Sequence, residues 1–276
     1  MKTRILTGLV LIPILVLVLL SNIYVITCAI AVISTVGLYE FYKATGVNRS
    51  KLPSALGYAA GLVVAFGGYI PSSFTLPIVY AFMLLLFIIM LKEHKTISVS
   101  EAGLVIFSII YIPLFLSTLA DIYRLGNGIY YLWIVFIGAF MTDTFAYFCG
   151  YFFGRHKLCP VISPKKTIEG SIGGSLCSVG LVLLYGLLLD RKFGIEINYI
   201  KLAVLGVLIA IISQIGDLTA SIIKRKYGVK DYGTIFPGHG GILDRLDSII
   251  ATAPLVYVYI TTIGITELGE IINIAV

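Results

Sequence analysis

The segment FPGHGGILDRLDSII, residues 236–250, sets two carboxylates three residues apart directly after a run of proline and glycine. Pro237, Gly238, Gly240 and Gly241 interrupt regular helix and expose backbone N–H groups, whereas ILDRLDSII resumes a helical pattern. A glycine-rich loop feeding a helix N-terminus is a natural anion site. On that helix Asp244 and Asp247 share one face while Arg245 points elsewhere. Paired carboxylates beside phosphate-binding groups suit Mg²⁺, a hard ion that takes oxygen ligands and keeps waters and substrate phosphates in its shell. The competing use of the same residues is structural, an aspartate capping the helix with a salt bridge to Arg245. His239, between two glycines, suits a phosphate hydrogen bond or a turn rather than a catalytic base.

Two more acids stand inside apolar segments, Asp143 in GAFMTDTFAYFCG and Asp217 in IISQIGDLTASIIKRK. An ionised carboxylate at bilayer depth costs roughly 2.5 kcal/mol or more unless a partner or water reaches it, so each calls for a function or a buried structural bond. If residues 200–226 form one helix, Ser213, Asp217, Ser221 and Lys224 fall on a single face, lining either a site or a polar helix–helix seam. In SPKKTIEGSIGGS, residues 163–175, Ser163-Pro164 marks a turn and Thr167 is placed to cap the next helix, with Glu169 or Gly170 behind it. Lys165 and Lys166 sit at that helix start, where the macrodipole favours anions, and make better sense as contacts to an external phosphate. Arg225, Lys230 and Asp231 extend the polar segment that runs from Lys224 to Asp247.

The elements that must carry these residues are apolar. The chain has 276 residues, 59% of them hydrophobic and 12% charged, with a mean hydropathy of +1.02. The composition predicts an all-α polytopic membrane protein forming one integral domain over 1–276, with nine crossings near 5–20, 22–38, 55–71, 75–91, 102–120, 129–153, 171–189, 200–223 and 248–266. An N-terminus in the cytoplasm and a C-terminus outside puts sixteen of the twenty Lys and Arg residues inside. The net charge of +6 is thus sided, a topology and anionic-lipid signal rather than a nucleic-acid one. The chemistry belongs to residues 129–276, and the spans of 1–128 carry no assigned role. Cys28, Cys149, Cys159 and Cys177 form no CxxC pair, and the spacing of Cys149, His156 and Cys159 fits no usual zinc pattern. P-loop, GxSxG and HExxH motifs do not occur.

The stretch Ser221-Ile222-Ile223-Lys224-Arg225, four residues, Lys230-Asp231-Tyr232-Gly233, two residues, then Phe236 through Asp247 resembles the signature of the phosphatidate cytidylyltransferase (CDP-diacylglycerol synthase) family. Asp143-Thr144-Phe145-Ala146-Tyr147, Ser163 through Gly170 and Gly216-Asp217 extend the match upstream. The resemblance implies transfer of CMP from CTP to phosphatidic acid with Mg²⁺ and a second metal ion. It also implies a homodimer in the cytoplasmic membrane, with a site open to the cytoplasm and to lipid. By position it assigns metal binding to Asp217 and Asp244 with Asp247 as neighbour, and phosphate contacts to Lys165, Lys166, Lys224, Arg225 and Lys230. Substrate contacts are expected as well from Ser221, Asp231, His239, Arg245 and Asp143. The rival classes are a transporter of an anionic solute, a scaffold, and a CTP-dependent polyprenol or phytol kinase.

Overall fold

The computed structural model describes residues 2–236 and 240–266; Pro237, Gly238 and His239, singled out above, lie outside them. The described residues are mostly helical. Six helical stretches are long and apolar enough to cross a membrane: Ile23–Thr45, Ser72–Lys92, Val99–Arg124, Gly128–Phe153, Ile168–Phe193 and Tyr199–Lys226. The other three expected crossings also fall on helices. Helix α1 (Lys2–Leu19) includes the apolar stretch Leu9–Leu19. The fifteen residues of α3 (Lys51–Ala65) reach about 22 Å, short of an apolar layer about 30 Å thick, because Gly67-Gly68 ends them early. Helix α10 (Leu243–Thr262) opens on Asp244, Arg245 and Asp247.

The chain forms two compact units. The first takes in residues 1–120 and 227–245. It holds α1, α2 (Ile23–Thr45), α3, α4 (Thr75–Lys92) and α5 (Val99–Ile109). A single π turn, Ile110–Leu114, joins α5 to α6 (Phe115–Arg124) around Pro113, whose missing N–H leaves a gap in the helical ladder. The core is built on α2, with Leu38, Phe41 and Tyr42 fully buried. Small residues let neighbours come close. Tyr42 lies where a side chain on Gly57 of α3 would stand, and its hydroxyl accepts from Ser108 of α5 at 2.9 Å. Segment 227–245 joins this unit: Tyr232 stacks on Phe41, and Leu243 fills the space beside Gly37.

The second unit takes in residues 121–226 and 246–276. Its helices are α7 (Gly128–Phe153), α8 (Ile168–Phe193), α9 (Tyr199–Lys226) and the greater part of α10. The expectation of an all-α chain needs one addition, an antiparallel hairpin of β1 (Lys157–Cys159) and β2 (Ser163–Thr167) between α7 and α8. Helices α7 and α8 pack backbone to backbone along Gly170, Gly174 and Ser178, spaced four apart. A methyl group on Gly174 would stand 2.7 Å from both Ala146 N and Thr142 O, and Ser178 donates to Gly138 O at 2.9 Å. At the far end of the unit, Asn198 N donates to Ile265 O at 2.8 Å and Lys201 Nζ to Ile263 O at 3.2 Å.

Candidate active site

Within the second unit, the site begins with α9. Its 28 residues form one helix, so the polar face expected from the sequence is real, with Ser213, Ser221 and Lys224 buried and Asp217 partly so. The Asp217 carboxylate pairs with the Lys166 ammonium of β2. Strand geometry explains why only one of the two adjacent lysines arrives: successive side chains leave opposite faces, and Lys165 is exposed. A helix start would offer both lysines to the same phosphate; the strand separates them.

Helix α10 brings in Asp247, which is buried, with Asp217, Asp143 and Lys224 as its charged neighbours. Gly216 makes this approach possible. A methyl group there would lie 2.6 Å from Ala251 Cβ and 2.8 Å from Asp247 O, so any side chain would push α10 away from α9. Asp143 of α7 accepts from the Ser248 hydroxyl at 2.6 Å, and Asp247 Oδ1 accepts from Ser248 N at 2.9 Å. Ser248 therefore links two of the acids, a role the sequence reading missed. Three carboxylates and two lysines thus meet where α7, α9, α10 and the hairpin converge. Repulsion among the acids is offset by Lys166 and Lys224, which otherwise would have little reason to sit among apolar helices.

The hairpin is fastened to the helices on both sides. Thr167 Oγ1 accepts from Gly170 N at 3.1 Å, the cap expected for α8. Glu169 instead turns back, accepting from Arg155 N at 3.1 Å and His156 N at 3.2 Å, with His156 Nδ1 at 2.6 Å. Arg225 at the end of α9 donates from Nε to Ile162 O at 3.4 Å.

Within the first unit lies the glycine loop. The N–H groups at its helix start, expected to meet a ligand's phosphate, are taken by the chain's own carboxylates. Asp244 Oδ2 accepts from Tyr232 N at 2.8 Å and Gly241 N at 3.0 Å. The Glu40 carboxylate of α2, 1% exposed, accepts from Ile242 N and Leu243 N, each at 3.0 Å. Sequence reading passed over Glu40, although an acid in an apolar span was the signal that had singled out Asp143 and Asp217. Lys230, Asp231 and Arg245 are exposed on this unit.

Among the described residues no three His, Cys, Asp or Glu side chains stand as a ready metal cage. The donor chemistry nonetheless suits Mg²⁺. Asp217 and Asp247 offer hard oxygens side by side, and an ion that keeps several waters and substrate oxygens needs only one or two carboxylates from the protein.

Residues 2–263 match the cytidylyltransferase family. The phosphatidate cytidylyltransferase of Staphylococcus saprophyticus is 31% identical over 268 residues, covering 95% of this chain and 100% of that protein. Those of Bacillus subtilis and Staphylococcus aureus are 31% and 32% identical, over 93% and 92% of this chain and 96% and 97% of their own lengths. Since the likeness runs nearly end to end and through every element that holds the clustered acids and lysines, the chain belongs to the cytidylyltransferase family.

Proposed function

We propose that this protein transfers CMP from CTP to phosphatidic acid, giving CDP-diacylglycerol and pyrophosphate for phospholipid synthesis. Family membership and the full-length likeness to three named phosphatidate cytidylyltransferases support the activity. The observation that carries it is the gathering of Asp143, Asp217 and Asp247 with Lys166 and Lys224. The nucleophile is a phosphate oxygen of the lipid, already anionic at neutral pH, so no protein base is required. It bonds to the α-phosphorus of CTP as the bond to the bridging oxygen breaks, and the electron pair leaves with pyrophosphate. What the protein must supply is in-line placement and compensation of charge where two anions meet.

Lys166 and Lys224 are placed to contact phosphate oxygens, with Lys165, Arg225, Lys230 and Arg245 guiding the anions in from water. Ser221, Asp231 and His239 contribute substrate contacts. Asp217 and Asp247 would hold Mg²⁺ and a second ion, and Asp244 heads the helix α10 that carries Asp247. When bound, Mg²⁺ neutralises phosphate oxygens and assists the departure of pyrophosphate. Asp143, tied to Ser248, orients the acids around it.

The site opens to the cytoplasm in a chain of nine crossings in the cell membrane, its N-terminus inside and its C-terminus, beyond the described residues, outside. The bias of Lys and Arg supports this orientation. Within the second unit, the hairpin and Lys224 share one end of the helices, and the ties of Lys201 and Asn198 lie at the other. The protein acts as a homodimer, which cross-linking in native membranes tests. CTP labelled at the α-phosphate, supplied with detergent-dispersed phosphatidic acid and Mg²⁺, is expected to put its label into the organic phase. Label that stays in aqueous CDP, with transfer only from γ-labelled CTP, would instead mark a lipid kinase.

A further inference from the structure

We propose that Glu40 is a positioning residue for the glycine loop and Asp244, giving the N-terminal helices a part in the transfer reaction. Buried on the last turns of α2, its carboxylate receives the two backbone N–H groups that open α10, those of Ile242 and Leu243, at 3.0 Å each. The same carboxylate lies against Gly233 and Gly241, where a Cβ at either position would collide with it. Both glycines belong to the polar signature, so two of its small residues are accounted for by the need to admit Glu40.

The first turn of α10 is therefore held from two directions. Glu40 takes the N–H groups of residues 242 and 243, while Asp244 takes those of residues 232 and 241. Asp244 Oδ2 is engaged by the amides of Tyr232 and Gly241, next to the two amides that Glu40 holds. Without Glu40, one buried donor and one part-buried donor lose their partner, and the first turn of α10 must shift to find water or another acceptor. Phe41, next in sequence, stacks on Tyr232 and gives the same segment an apolar footing on α2. A carboxylate that orients a ligand-bearing segment, without touching substrate, acts as the outer partners of metal ligands do.

The inference rests on the CMP transfer proposed above, and the full-length protein in detergent tests both separately. Glu40→Ala should lower kcat about 10–100-fold and raise the Mg²⁺ concentration for half-activation, with Glu40→Gln, which keeps one acceptor oxygen, falling between it and wild type. The backbone amides of Ile242 and Leu243 should exchange faster in Glu40→Ala, while those of α7 and α8 keep wild-type protection. Wild-type kcat and Mg²⁺ midpoint in both variants would overturn the proposal. So would a loss of activity that matches the loss of folded protein, with midpoint and KM unchanged. If the wild-type protein itself moves no CMP, the transfer reading fails instead, and unchanged exchange at residues 242 and 243 in Glu40→Ala would still sink the positioning role.

Discussion

Lys224 offers the sharpest residue-scale test, because a cation buried among carboxylates has two separable duties. It compensates the charge of Asp247, and in the proposed reaction it meets a phosphate. Lys224→Ala is expected to raise KM for CTP or phosphatidic acid, measured by varying each at saturation of the other; unchanged KM for both would remove the phosphate contact. Lys166→Ala strips Asp217 of its ion-pair partner and is expected to cost more turnover than Lys165→Ala, since only Lys166 reaches the acid. Equal losses, read from initial rates, would mean that strand alternation does not sort the two lysines. The separation of Lys165 from Lys166 is not legible in the sequence, because the cap signal at Thr167 marks a helix start and nothing local marks the strand before it. The Thr167 cap is, since a side-chain oxygen three residues before a free N–H is a purely local relation. Glu40 escaped for the opposite reason: its partners lie 202 and 203 residues away, and no local pattern joins them.

Small residues decide how the elements meet. The polar face of α9 was readable in advance because helical periodicity is a property of the sequence, and the 28-residue helix realises it. Which helix would face it was not readable, since that depends on gaps such as Gly216. Gly216→Leu is expected to force α10 off α9 and displace Asp247, abolishing turnover while the protein still inserts into membranes. Wild-type turnover in that variant would show that the close approach is not needed. Gly174→Val, meeting the backbone of α7 at 2.7 Å, should destabilise the protein by about 1–3 kcal/mol, seen as a lower thermal midpoint in detergent. The limits of helices proved harder to read than their existence. Nine expected crossings correspond to helices, yet among the described residues only six stretches combine the length and apolarity of a full span. A glycine pair ends α3 early, and clustered charges open α10.

At the scale of the whole molecule, sidedness ties the chemistry to the membrane. A lipid substrate keeps its chains in hydrocarbon and presents its head at the surface, and in the proposed orientation the acids and lysines lie at the cytoplasmic ends of their helices. Single cysteines at Lys157 and Lys192, in a chain with its four native cysteines replaced, should react oppositely with an impermeant maleimide applied outside intact cells. Labelling is expected at 192 and not at 157; the reverse pattern would invert the proposed topology. The central claim is that Asp217 and Asp247 are gathered to support CMP transfer rather than to join helices. It is tested most directly by the initial rate of α-labelled CTP incorporation into lipid by Asp217→Asn and Asp247→Asn, set beside wild type and normalised to folded protein. A fall of roughly 10²–10³-fold in each, with folding preserved, is the predicted result. Wild-type rates in both variants would contradict it.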